Sequence, residues 1–127
     1  MIHKINPSPH EDVEQTSLFI WAAYNMGKWP ELRLMYHIPN GGSRSKTEAV
    51  RFKLQGVKPG VPDVCLPVAR NGHHGLYIEM KRQKGGTTSK EQKEWIEALR
   101  QQGYFACVCK GWEAASQIIT QYMEGQL

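Results

Sequence analysis

Apolar residues recur along this chain with two periods, and the switches between them mark out its elements. Val13, Ile20, Ala23 and Tyr24 recur at helical spacing, flanked by Leu18 and Trp21. Ser8-Pro9-His10-Glu11 ahead of them reads as a capping box with proline at the first helical position, and Gly27 closes the helix. Residues 32–38 read as a strand that runs into the turn residues Pro39-Asn40-Gly41-Gly42. Ser45-x-x-Glu48 opens a second helix carrying Val50 and Leu54 and ending at Gly56. Lys58-Pro59-Gly60-Val61-Pro62 then enforces an extended lead into a strand over 61–69. Asn71-Gly72-His73-His74-Gly75 is a turn, and 76–82 is its antiparallel partner. Thr88-x-x-Glu91 caps a third helix to Gln102, with Trp95, Ile96 and Leu99 as its apolar stripe. A strand over 104–109 and an amphipathic helix over 112–123, through Ala115, Ile118, Ile119 and Tyr122, complete the pattern. No repeat or low-complexity segment interrupts it, so one domain over residues 1–127 is expected.

Alternation within the central hairpin separates two kinds of side chain. Leu76, Ile78 and Met80 face one way and are wholly apolar, while Tyr77, Glu79 and Lys81 face the other. Val64, Leu66 and Val68 on the first strand belong with the apolar set, which turns Asp63 toward Glu79. Two carboxylates on adjacent strands suit a hard divalent ion that also takes waters and a substrate phosphate. A lysine beside them suits charge stabilisation on a phosphorane-like transition state. The plain alternative is a surface Glu–Lys pair beside a strand-capping aspartate. Gln92 lies one turn before the apolar stripe of the third helix, as a margin residue or as a partner for the site. Glu14 lies beside the first helix's apolar face, as a solvated edge residue or a third acid turned inward.

Charge adds a polyanion to the picture. The net charge is +4, with an isoelectric point near 9.0. Arg44, Lys46, Arg51, Lys53 and Lys58 cluster around the second helix, against Glu48 alone, and Lys81, Arg82 and Lys84 flank the acid pair. Either these are solvated faces or they contact phosphate. The His73–His74 pair at the turn reads as exposed, with phosphate contact as the alternative. The odd set of cysteines, Cys65, Cys107 and Cys109, implies no disulfide framework, and no further ligands with zinc spacing accompany them. No apolar run approaches the roughly 20 residues of a membrane span, and the N-terminus lacks a signal-like stretch, so an intracellular protein is expected.

These pieces together resemble the PD-(D/E)XK nuclease superfamily and, more narrowly, a stand-alone VRR-NUC domain. The resemblance rests on Glu14, Ile38-Pro39-Asn40-Gly41-Gly42, the run from Gly56 to Asp63, Tyr77-Ile78-Glu79-Met80-Lys81, Gln92 with Trp95, and Gly103-Tyr104. The glycine-proline run into Asp63 is its most specific part. The resemblance implies an α/β restriction-endonuclease-like core, a mixed β-sheet flanked by helices. It implies that Asp63 and Glu79 bind Mg²⁺ or Mn²⁺ with the Met80 carbonyl as a further ligand. It makes Lys81 the catalytic lysine, places Glu14 in the metal shell through water, and has Gln92 support the site. Stand-alone members are similar to Holliday-junction resolvases and act as homodimers. The expected function is therefore a metal-dependent, structure-specific endodeoxyribonuclease that resolves four-way junctions as a dimer. The alternatives are a general nicking or flap nuclease, and a non-catalytic DNA-binding module. The expected partners are branched DNA and a second copy of the chain, with exposed parts of Trp21, Tyr24, Trp29 and Trp112 as interface candidates and core packing as their plain alternative.

Overall fold

The centre of the molecule is a strand that is apolar on one face and charged on the other. The computed structural model describes residues 10–39 and 45–127. The turn over 40–42, Arg44 and the Ser8-Pro9 cap lie outside them. In chain order the described elements are α1 (Glu11–Tyr24), β1 (Tyr36–His37), α2 (Lys46–Leu54), β2 (Val64–Leu66), β3 (Leu76–Lys81), α3 (Lys90–Gln101), β4 (Phe105–Lys110) and α4 (Trp112–Met123), with a 3₁₀ helix at Pro30–Leu34 between α1 and β1. The sheet order is β1-β2-β3-β4. β1–β2 and β2–β3 pair antiparallel, and β3–β4 pair parallel through the α3 crossover. This is the mixed sheet with flanking helices that the sequence leads one to expect.

α1 and α4 pack on each other and on the apolar face of β3. Leu18, Ala22, Ile119 and Tyr122 meet Leu76, Ile78 and Met80 there, with Val64, Leu66 and Val68 of the β2 segment in the same core. The Tyr122 hydroxyl donates to the Val68 carbonyl at 2.6 Å, which satisfies the one polar atom of a buried ring. α3 packs on β4 on the opposite face of the sheet, where Ile96 is buried, and reaches β3 through Gln92. Among the described residues α2 buries none of its own, and Lys46, Arg51, Lys53 and Lys58 are all exposed.

Several local expectations need correction. The buried line of α1 is Glu14, Leu18 and Ala22, while Val13 and Ile20 are 50% and 54% exposed and Tyr24 more so. A buried acid thus sets the phase of this helix, and counting apolar positions alone rotates it. α1 begins after His10, whose side chain makes no cap hydrogen bond. Leu32 and Leu34 belong to the 3₁₀ helix that Pro30 initiates, so the expected strand shrinks to Tyr36–His37, with Ile38 N adding one backbone bond to Asp63 O beyond it. The box that opens α3 is Ser89 with Gln92, one residue later than Thr88 with Glu91. The histidines also divide: His74 is exposed, but His73 is half-buried against Phe105 and Tyr122.

Candidate active site

The register of β2 and β3 places the acids together. Val64 pairs with Ile78, so the residue before Val64 falls opposite Glu79. Asp63 is fixed at that point from both sides. Its carbonyl accepts from Ile38 N at 2.7 Å and contacts His37 Nδ1 at 2.9 Å. Its carboxylate Oδ2 accepts from Met80 N at 2.8 Å. Gly60 makes the approach possible. It sits at φ +89°, and a Cβ there would stand 2.6 Å from the Glu91 backbone, so the loop before Asp63 lies directly on the first turn of α3.

Glu79 and Lys81 are ionisable residues that are nevertheless buried, with Glu79 only 1% exposed. Their ion pair, Lys81 Nζ to Glu79 Oε2, spans 3.5 Å. Gln92 satisfies both partners. Its Nε2 donates to Glu79 Oε2 at 3.0 Å, and its Oε1 accepts from Lys81 Nζ at 3.0 Å. The same Oε1 accepts from Ser89 N at 2.9 Å, while Gln92 N donates to Ser89 Oγ at 3.1 Å. The capping box of α3 therefore clamps an acid–lysine pair on the neighbouring strand. Burial, and then the nearby Asp63 carboxylate, push the Glu79 carboxyl up to about 8, with Lys81 opposing the rise. Glu79 Oε1 is buried and has no hydrogen-bond partner.

An orphaned buried carboxylate oxygen of this kind suits a cation ligand. Among the described residues no three His, Cys, Asp or Glu side chains form a ready-made metal cluster. Two carboxylates and a backbone carbonyl nevertheless fit a hard ion that keeps waters and takes a phosphate oxygen. The carbonyls of Gly75 and Lys81 accept from β4 and from Gly111. Alternation then turns the backbone groups of Met80 the other way, toward Asp63, where its N–H already points. The residues present fit Mg²⁺ or Mn²⁺ held by Asp63, Glu79 and the Met80 carbonyl.

Glu14 has a different set of contacts. It is turned inward, and its Oε1 accepts from Trp112 N at 3.2 Å while Oε2 is buried without a partner. Gly111, the residue that opens α4, has φ +87° and supplies no capping side chain, so a carboxylate from α1 does that work. Gly111 N in turn donates to Lys81 O at 2.8 Å. Glu14 is thus tied through α4 to the end of β3, two hydrogen bonds from Lys81.

Sequence patterning brings out Asp63, Glu79, Lys81 and Gln92, and the structure gathers all four. Patterning passes over Ser89, for which the Ser-x-x-Gln spacing is a readable signal, and His37, for which no short-range signal exists.

Comparisons with known proteins agree with this architecture. The VRR-NUC domain family matches residues 11–113. A solved structure described as a VRR_NUC domain protein superposes with a TM-score of 0.80 at 35% identity, covering 92% of this chain and 90% of that one. No curated protein matches. With the family matched over residues 11–113 and the fold shared at that identity, the chain belongs to the VRR-NUC domain family and carries a nuclease-type domain.

Proposed function

We propose that this protein is a metal-dependent endodeoxyribonuclease whose site is Asp63, Glu79, Lys81 and Gln92. The observation that carries the reading is the buried, unpartnered Glu79 Oε1 inside an otherwise satisfied acid–lysine–glutamine clamp, open toward Asp63. Mg²⁺ or Mn²⁺ bound there supplies a polarised phosphate and a bound water of lowered pKa. The chain's own residues do the rest. Asp63 and Glu79 hold fixed positions because Met80 N and Gln92 Nε2 donate to them. Gln92 keeps the Lys81 ammonium from collapsing fully onto Glu79, so the ammonium can donate to oxygen atoms that gain charge in the transition state. Glu14 supports the site through α4 and Lys81 O, and a water-mediated link to the metal is part of the proposal.

The finer reading is resolution of four-way DNA junctions by a homodimer, each copy cutting one strand. The test is cleavage of labelled four-way, flap, nicked and linear DNAs with Mg²⁺ or Mn²⁺. Cutting of the four-way junction in preference to the linear duplex is expected. Flap or nick cutting without junction cutting moves the assignment to the general nuclease, and no cutting of any DNA with either metal removes the enzymatic reading.

A further inference from the structure

The sheet face that carries the acid pair continues past it in an aromatic row. Tyr36, Cys65, Tyr77 and Ala106 are direct partners across β1, β2, β3 and β4. Directly opposed residues share a face, and Tyr77 lies two positions before Glu79, so this row stands about 7 Å from the acids. On their other side, again two positions along, Lys81 pairs with Lys110. The face therefore reads, in order, as tyrosines, carboxylates and lysines.

The rings are held in place rather than loosely exposed. Tyr36 and Tyr77 flank the buried Cys65 as its direct partners on either side. The Cys65 side chain foremost for Tyr36, and burial foremost for Tyr77, raise the phenol pKa values. Tyr77 meets Tyr104 edge-on at 5.3 Å and 77°. Tyr104 meets His74 at 5.8 Å and 68°. An edge-to-face contact covers one face of one ring in each pair and leaves the opposite faces uncovered by that contact. Tyr36 is 48% exposed, whereas the core tyrosine, Tyr122, is buried. Core packing therefore accounts for Tyr122 and not for Tyr36.

We infer that this tyrosine row is a stacking platform for unpaired nucleobases of the strand whose phosphate lies at the acid pair. The inference rests on the nuclease reading and narrows its substrate class to DNA with unpaired bases next to the cut. A sugar-phosphate backbone crossing the acids and reaching Lys81 and Lys110 leaves its adjacent base over Tyr36 and Tyr77. Aromatic faces accept any base, which suits recognition of shape rather than sequence. A paired base is stacked on its own neighbours and has no free face to offer.

Binding is measured on the full chain in EDTA, so that nothing is cut. The DNAs are a gapped fork with 2-aminopurine at an unpaired position and a fully paired duplex with the same probe. Binding is expected to change the fluorescence of the unpaired probe only. Tyr36→Leu is expected to weaken binding of the gapped fork about 5- to 150-fold and of the duplex by less than about twofold. Tyr36→Phe, which keeps the ring, should bind the fork like the wild type. Tyr77→Leu, checked for a native circular dichroism spectrum, repeats the measurement one strand further in. Equal losses on fork and duplex, no loss with Tyr36→Leu, or a Tyr36→Phe variant as weak as Tyr36→Leu each overturn the platform. So does a Tyr36→Leu variant that changes only the oligomeric state, since the face then belongs to a second copy. Cleavage of the same DNAs by the wild type with Mg²⁺ is scored separately. A probe response without cutting removes the nuclease reading and keeps the platform, and cutting without a probe response does the reverse.

Discussion

Glu79 holds most of the tension in this fold. A carboxylate that is buried beside another carboxylate disfavours its own charge, and its pKa rises from 4.5 to about 8. The sign of the linkage follows. Because the folded pKa lies above the unfolded one, the associated stability is fully present below pH 4.5 and is lost as pH rises through 8. Metal-free protein should therefore melt at a lower temperature at pH 8.5 than at pH 5.5. Divalent metal binds the ionised form, so its affinity should rise with pH over the same window and restore the lost stability. Glu79→Gln keeps the shape without the charge and should flatten the pH dependence, abolish the metal response and remove cleavage. Thermal melts in EDTA and in Mg²⁺ across pH 5–9 read all of this, and an unchanged metal response in Glu79→Gln would place the ion elsewhere. On the proposed reading Lys81 acts on the transition state and not on the cation. Lys81→Ala should lower turnover about 10²- to 10³-fold while sparing metal binding. Mn²⁺ titration and single-turnover rates separate the two, and a variant that loses metal binding yet cuts normally at saturating metal contradicts the role. At this scale the sequence is legible where a strict period of two governs it. Asp63, Glu79 and Lys81 fall on one face because Ile78 and Met80 must fall on the other. Glu14 is only half legible, since its partner is a backbone N–H 98 residues away.

Secondary elements explain which errors a sequence reading makes. The phase of α1 is misread because one buried acid outranks several exposed apolar residues, and no local pattern announces a helix that caps another helix. The start of α3 slips by one residue because Thr88-x-x-Glu91 and Ser89-x-x-Gln92 both satisfy the box spacing. What separates them is tertiary: Gln92 also reaches Glu79 and Lys81. β1 reads too long because Leu32, Leu34 and Tyr36 mimic an alternating strand, whereas Pro30 starts a tight turn of 3₁₀ helix. α2 stands where its capping residues put it, with Ser45 accepting from Glu48 N at 3.2 Å. Its exposed apolar residues, Val50 and Leu54, show that it does not serve the core. A cationic helix with no fully buried residue is available to phosphate. Reversing Lys46, Arg51 and Lys53 to Glu should weaken binding of every DNA alike. It should also lower the slope of log affinity against log salt by about 0.9 for each phosphate that the helix no longer neutralises. Binding isotherms at low and at physiological salt measure this, and an unchanged slope means that α2 is merely solvated.

At the scale of the whole molecule, one site per chain poses a problem of stoichiometry. On the proposed reading the acid pair, Lys81 and Gln92 would together hold one scissile phosphate, and one such site would cut one strand. Resolving a four-way junction takes two incisions related by symmetry, which two copies across an isologous interface supply. The junction has the same two-fold character, so a two-fold dimer presents one site to each of two opposed strands. The surface of α1 offers material for such an interface. Tyr24 is 86% exposed at the end of α1, next to exposed Ile20, whereas Trp21, Trp29 and Trp112 pack against the core. The expected interface is therefore the outer face of α1 rather than the tryptophans. Light scattering should give about twice the 14.5 kDa chain mass. Tyr24→Glu with Ile20→Glu should convert the dimer to a monomer. That monomer should keep its metal-dependent melting shift, because Ile20 and Tyr24 are exposed on α1 whereas Glu14 and Glu79 are buried, yet it should nick junctions one strand at a time. A cruciform plasmid distinguishes the two outcomes directly, since paired cuts within one binding event linearise it while independent nicks leave it as an open circle. A wild-type chain that is monomeric and still linearises the cruciform in a single event would break the link between symmetry and function.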